Sequence, residues 1–190
     1  MNSFNIKIKN CSFDLPMGGI RIVNSSYIEL SNVQVNGAGG SPLINTFGLV
    51  VYDSDNINVS KFSVNGMYAG IILRNVSDSD FDETTISNCS TVGVYIGPSY
   101  NLTFNKSVID NSNRGIWIEP SIGLFSSFNI VGGNTNTIKN NEYASVKSTN
   151  SLVTADNISF TGQSEIKNNT SNGVYAFGSG GIYSINSLSF

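Results

Sequence analysis

Gly48-Leu-Val-Val-Tyr52, Gly70-Ile-Ile-Leu-Arg74, Gly93-Val-Tyr-Ile-Gly97 and Gly115-Ile-Trp-Ile-Glu119 are four versions of one five-residue phrase. It occurs earlier as Gly19-Ile-Arg-Ile-Val23 and later as Gly173-Val-Tyr-Ala-Phe177. A fixed period of roughly 20–50 residues marks a repeat architecture, in which each unit packs only on its neighbours. The openings from Gly19 to Gly115 keep such a period, and the interval from Gly115 to Gly173 is about double. The double interval holds two longer units. Tyr143-Ala-Ser-Val-Lys147 is the intermediate phrase, with Tyr143 at the glycine position and Ala144 and Val146 pointing inward.

Two further short segments complete each unit. One reads Tyr27-Ile-Glu-Leu30, Asn56-Ile-Asn-Val59, Asp78-Ser-Asp-Phe81 and Asn101-Leu-Thr-Phe104. The other follows closely, as Val33-Gln-Val-Asn36, Phe62-Ser-Val-Asn65 and Thr84-Thr-Ile-Ser-Asn88. Alternating apolar and polar residues indicate strands that bury every second side chain. Asn and Gly between them suit tight turns with left-handed backbone. Three short strands per unit, joined by such turns, describe a triangular solenoid. The expected fold is therefore all-β: a parallel β-helix of about seven coils, each roughly 22–30 residues long. It forms one domain over residues 1–190. A rise of roughly 4.8 Å per coil makes a rod about 34 Å long. The first coil begins close to Met1 and the last stops in mid-strand at Phe190, without polar caps. A fragment of a longer β-helix is the expectation, since end coils need such caps.

Composition agrees and excludes much else. Asn and Ser are unusually abundant, only 12% of the chain is charged and none of it is His, yet there are 11 Phe and 8 Tyr. Disordered chains are poor in aromatics and rich in charge. Without His, Ser-His-Asp and Cys-His triads are ruled out, and two Cys are too few for a cysteine-only zinc site. No cofactor and no metal are expected. Ten scattered Lys and Arg against 13 Asp and Glu give no basic footprint for nucleic acid. No apolar run approaches a membrane span, and the first residues lack the apolar core of a signal peptide. Cys11 and Cys89 fall three coils apart, too far to bridge, and are expected as free thiols.

The G-I-x-I openings and the N-I-x-V…F-x-V-N segments resemble the right-handed parallel β-helix of the pectate-lyase-like superfamily, over nearly the whole chain. The Asn- and Ser-rich style is most similar to the shafts of bacteriophage tailspikes and capsule depolymerases. That resemblance implies a bacterial surface polysaccharide as partner and a homotrimeric parent protein. It also implies a place on a virion tail or at an extracellular or cell surface. The superfamily's catalytic elements N-T-D, D-D, G-H-G and R-I-K are absent, as are its His-containing motifs. Fold is thus far better indicated than function.

Stacking turns repeated positions into columns. The first and third residues after each opening glycine, such as Ile71 and Leu73, form inward aliphatic ladders. The second and fourth face outward. One outer column reads Arg21, Val50, Ile72, Tyr95, Trp117, Ser145, Tyr175, and the other Val23, Tyr52, Arg74, Gly97, Glu119, Lys147, Phe177. An outward face this rich in aromatic and aliphatic residues marks a ligand surface or an interface. Two functional readings compete, beside a plain third in which exposed β-formers are chosen for strand propensity. In one, Tyr52, Arg74, Tyr95, Trp117, Lys147 and Tyr175 form a carbohydrate platform. In the other, the face is a seam between β-helices in a trimer, which suits Val50 and Ile72 better. Insertions at 38–47, 120–133 and 149–155 supply loops beside the face.

For an enzyme acting on polysaccharide, Glu119 is the first acid to consider, with Asp53 or Asp55 as a second carboxyl. Arg74 stands two coils from Glu119 in the same column, with only Gly97 between. The run Asp78, Asp80, Asp82, Glu83 offers carboxylates for calcium, but alternation splays them. Stacking instead aligns Glu83 with Lys61 and Lys106 in a surface charge ladder.

Overall fold

A computed structural model describes residues 3–14, 18–37, 45–97, 99–112 and 114–118, together with short strand segments between Phe128 and Phe177. Every strand pairing is parallel, as expected when a chain coils in one direction and each turn lies on the last. In the first sheet Ile20 lies beside Leu49, Leu49 beside Ile71, Ile71 beside Val94 and Val94 beside Ile116. In the second, the column runs Ile8, Leu30, Val59, Phe81, Phe104, Ile130, Phe160. In the third it runs Phe13, Val35, Val64, Ile86, Ile109, Ile138, Ile166. Coils are short where Lys7 lies beside Glu29 and longer where Ile116 lies beside Val146. The fold is the parallel β-helix that the repeat indicates.

The three inner faces meet in a core that contains Leu30, Leu49, Ile57, Phe62, Ile71, Leu73, Phe81, Ile86 and Phe104, each almost wholly buried. Phe81 and Phe104 stack with centroids 4.5 Å apart and planes within 10°. Burying one such side chain contributes about 1.5–3 kcal/mol.

Many non-glycine residues adopt positive φ, and most line up at the corners. Asn24, Asp53 and Asn75 turn the chain out of the first sheet; Asn5, Tyr27, Asn56, Asp78 and Asn101 lead it into the second; Asn10, Asn32, Lys61, Glu83 and Lys106 divide the second from the third. The long strand Phe47–Asn65 thus rounds the solenoid through left-handed residues Asp53, Asn56 and Lys61. Asn and Asp predominate because their short polar side chains tolerate this conformation and bond locally. The amides then join coil to coil: Asn32 donates to Asn10 at 2.8 Å, Asn75 to Asp53 at 2.8 Å and Asn101 to Asp78 at 2.6 Å. The Lys-Glu-Lys column is thus a corner column first. Its charges contribute one long contact, Lys106 to Glu83 at 3.7 Å.

Two features of the small residues go beyond what the repeat pattern shows. The opening glycines are not left-handed: only Gly18 and Gly66, among the described glycines, have positive φ. They are required by close approach. A Cβ on Gly70 would meet the carbonyl oxygen of Gly93 at 2.4 Å and Ile86 at 2.4 Å, and one on Gly48 would meet Val64 at 2.4 Å. Serine, in turn, is not confined to turns and outward positions. Ser25, Ser54, Ser77, Ser79, Ser99, Ser107 and Ser112 are buried. The Ser54 hydroxyl donates to the Tyr52 carbonyl at 2.7 Å and accepts the Ser25 N–H at 3.1 Å; Ser79 does the same for Ser77 and Ile57. Inward hydroxyls satisfy backbone groups that the bent corner leaves without a ladder partner.

The intermediate phrase also shifts. Val146 pairs with Ile116 and Val174, Lys147 with Trp117 and Tyr175, and Ser148 with Ile118 and Ala176. Lys147 therefore occupies the first outer column, where spacing alone puts Ser145. No glycine marks this opening, and the register instead keeps Val146 in line with two other apolar residues.

Between the first two coils, Glu29 accepts from Lys7 at 2.8 Å and Lys9 at 2.6 Å. These charge-assisted bonds, that from Lys7 foremost, hold its carboxyl down at about 2. Cys11 and Cys89 are both free thiols. Burial pushes the Cys89 thiol up to about 11.

Candidate functional site

The first sheet holds straight strands that hydrogen-bond on both sides, so its outer side chains stand in fixed rows about 4.8 Å apart. Tyr52 is Cα partner to Arg74 and to Val23, and Val50 lies between Arg21 and Ile72. The Arg21 guanidinium sits over the Tyr52 ring, with Cζ 5.8 Å from its centroid. An Arg stacked in this way keeps its in-plane N–H groups free to bond a ligand. Tyr95 and Trp117 are neighbours in the first column and meet edge to face, with centroids 5.8 Å apart at 77°.

Between these groups the surface is concave. Arg21, Asn45, Thr46, Phe47, Val50, Tyr52, Tyr68 and Ile72 line an open hollow of about 240 Å³. Val50 is its floor and is only 2% exposed. It points outward from the sheet, as its place in the column requires, yet its neighbours on the face cover it. Asn45, Thr46, Phe47 and Tyr68 are not among the binding residues expected from the columns. Tyr68 is the legible one, a large aromatic just ahead of the Gly70 phrase where the preceding coil has Thr46. The Thr46 hydroxyl accepts the Tyr68 N–H at 3.1 Å and fixes the turn that carries the ring.

Arg74 is exposed, and its stem lies flat along Gly97. A Cβ on Gly97 would come within 3.3 Å of Arg74 Cγ and 3.4 Å of Nε. The bare backbone of Gly97 leaves room for the Arg74 stem to lie close against it. Glu119, its expected neighbour in the column, lies outside the described residues, as do most of the insertions beside the face. Lys147 and Tyr175 continue the Trp117 row by backbone register.

Asp53 and Asp55 lie around the corner from the face. Asp53 is an exposed left-handed corner residue that accepts from Asn75 at 2.8 Å. Asp55 accepts from the Ser26 hydroxyl at 2.7 Å and from Asn56 at 2.6 Å. Each carboxylate is engaged in holding the turn. Among the described residues, the charged groups in the two outer columns of the first sheet are all cations, Arg21, Arg74 and, by register, Lys147, and neither arginine has a carboxylate partner.

The family described as right handed beta helix region matches residues 1–151. The chain belongs to the right-handed β-helix family. No curated protein matches it. Membership accounts for the coil and the columns of this β-helix; what its outer face does has to be argued from the face itself.

Proposed function

We propose that this β-helix recognises polysaccharide along the outer face of its first sheet, as the shaft of a phage tailspike or a similar surface protein acting on bacterial cells. One observation carries the reading: the hollow of about 240 Å³ bounded by Tyr52, Tyr68 and Phe47, with Arg21 stacked on its rim and the Tyr95–Trp117 pair in the adjoining coils. Flat rings present apolar faces to the C–H faces of a sugar, while arginine and amide groups bond its hydroxyls, the mixture that ligand sites generally show. A linear glycan matches a row of rings repeated coil by coil.

A trimer seam is the second reading. Its best support in the sequence is aliphatic exposure at Val50 and Ile72, but Val50 is covered within its own chain and Ile72 is half-buried. Of the other described outward groups Val23 is aliphatic, but Arg21, Tyr52, Arg74, Tyr95 and Trp117 are aromatic or cationic, which favours glycan over a dry seam.

The test pairs mass with titration. The protein is weighed in solution, then titrated with capsular or O-antigen oligosaccharides while the fluorescence of Trp117, the sole Trp, is followed. Saturable changes that Tyr52→Ala weakens at least tenfold are expected. A trimer whose Trp117 emission is blue-shifted and indifferent to every glycan would sink the proposal in favour of assembly. Release of reducing ends during the titration, abolished by Glu119→Gln, would extend the role from binding to hydrolysis.

A further inference from the structure

Among the described residues, the two outer columns of the first sheet carry a charge imbalance that neutral-sugar binding leaves unexplained. The chain as a whole has a formal charge of −3. Yet the described outer columns hold two arginines and no acid, and no carboxylate lines the hollow. Elsewhere the molecule places acids beside cations: Glu29 pairs with Lys7 and Lys9, and Glu83 with Lys106. Arg21 and Arg74 flank one ring, Tyr52, which is Cα partner to Arg74 and lies beneath the Arg21 guanidinium. Arg21 is stacked on that ring, and the Arg74 stem lies against the bare backbone of Gly97.

Resting on the polysaccharide reading, we propose that the hollow is a subsite for an anionic sugar unit. Its carboxylate or sulfate is gripped by Arg21 on the rim, with Arg74, beside Tyr52 in the next coil, adding positive charge, while its ring lies against Tyr52 and Tyr68. Planar guanidinium forks match such oxyanions in geometry as well as charge. A charge-assisted bond of this kind is worth roughly 1.5–3 kcal/mol, or about ten- to a hundredfold in affinity. The acidic unit belongs at the Arg21–Arg74 end of the row, and neutral units run on toward Tyr95 and Trp117.

The test uses acidic capsular oligosaccharides, each beside its own carboxyl-reduced form, and a sulfated oligosaccharide panel beside its desulfated forms. Binding is read by calorimetry at low and at high salt. The acidic form is expected to bind at least tenfold tighter, with the advantage shrinking in salt. Arg21→Gln should erase most of that advantage and Arg74→Gln part of it, the acidic form losing more affinity than the neutral form in each case. Gly97→Ala, which crowds the Arg74 stem without removing any charge, should reduce the advantage too. The series in which the advantage appears identifies the anion as carboxylate or sulfate. Equal binding of acidic and neutral forms would overturn this inference and leave the polysaccharide reading standing. An acidic preference that survives both arginine variants would likewise overturn it. Failure of every glycan to bind would remove both.

Discussion

The corners and the outer face of the first sheet are built from the same coils under different constraints. At a corner, the backbone dictates the residue. Asn24, Asp53 and Asn75 share a left-handed conformation, and Gly48, Gly70 and Gly93 sit where a Cβ would strike another strand. On the face, the backbone is ordinary strand, and any residue would fit. Polar side chains there would have satisfied solvation, as the many Asn and Ser elsewhere show. On the proposed reading, Arg21, Tyr52, Arg74, Tyr95 and Trp117 stand there for a partner rather than for folding. The two regions therefore separate stability from recognition, and substitution tests the separation.

The largest expected effect is at an opening glycine. Gly70→Ala forces a Cβ against the backbone oxygen of Gly93, which cannot swing aside as a side chain would. A loss of about 3 kcal/mol in denaturant unfolding is expected, at the upper end for overpacking. Next is Asn75→Val, which puts a β-branched residue at φ 53° and removes the bond to Asp53. It should cost about 2 kcal/mol. Lys61→Gly acts in the opposite sense. Relief of roughly 1–2 kcal/mol of left-handed strain outweighs the roughly 0.5–1 kcal/mol of added chain entropy that glycine brings. A small gain in stability is expected. If Lys61→Gly were destabilising, backbone strain would not be what governs the corner.

The Glu29 cluster adds a pH signature. Its folded pKa, about 2, lies below the ordinary value near 4.5. The stabilisation is thus fully present above the unfolded pKa and is lost as pH falls from about 4.5 toward 2. Glu29→Gln should be less stable than the native chain at pH 7, with the gap closing across that window in acid. The pair is surface-exposed, so added salt should narrow the gap as well. The smallest effect belongs to the face: Arg74→Ser should change stability by no more than about 0.5 kcal/mol. A loss at Arg74 as large as that at Asn75 would erase the distinction between the two regions.

Much of this organisation is legible in the sequence, because a solenoid writes its contacts as spacing. The near-constant interval between the Gly48, Gly70 and Gly93 phrases alone places Ile71 between Leu49 and Val94. What spacing hides is the reason for a residue. Gly70 reads equally well as a turn former or as a gap for a neighbouring strand, and only packing distinguishes them. Ser54 and Ser79 look like surface residues until the corner's missing backbone partners are counted. Lys147 is misaligned in sequence because register in that coil follows Val146 rather than a glycine. At the candidate site, Tyr52, Arg74, Tyr95 and Trp117 stand out as departures from the Asn/Ser habit. Asn45, Thr46 and Phe47 enter only through the fold of the segment before the sheet, which no alternation pattern encodes.

The side-chain amides between coils also give the rod a direction. Asn32, Asn36, Asn75, Asn88, Asn101 and Asn111 each donate from a later coil to an earlier one. Three of the acceptors are Asp14, Asp53 and Asp78, which as carboxylates can only accept, so the orientation is chemically fixed. A finished coil thus offers waiting acceptors to whatever the chain adds next, and the structure is suited to grow like masonry, course upon course in the order of synthesis. Damage to one course weakens its joints above and below while leaving distant courses sound, because each touches only its neighbours.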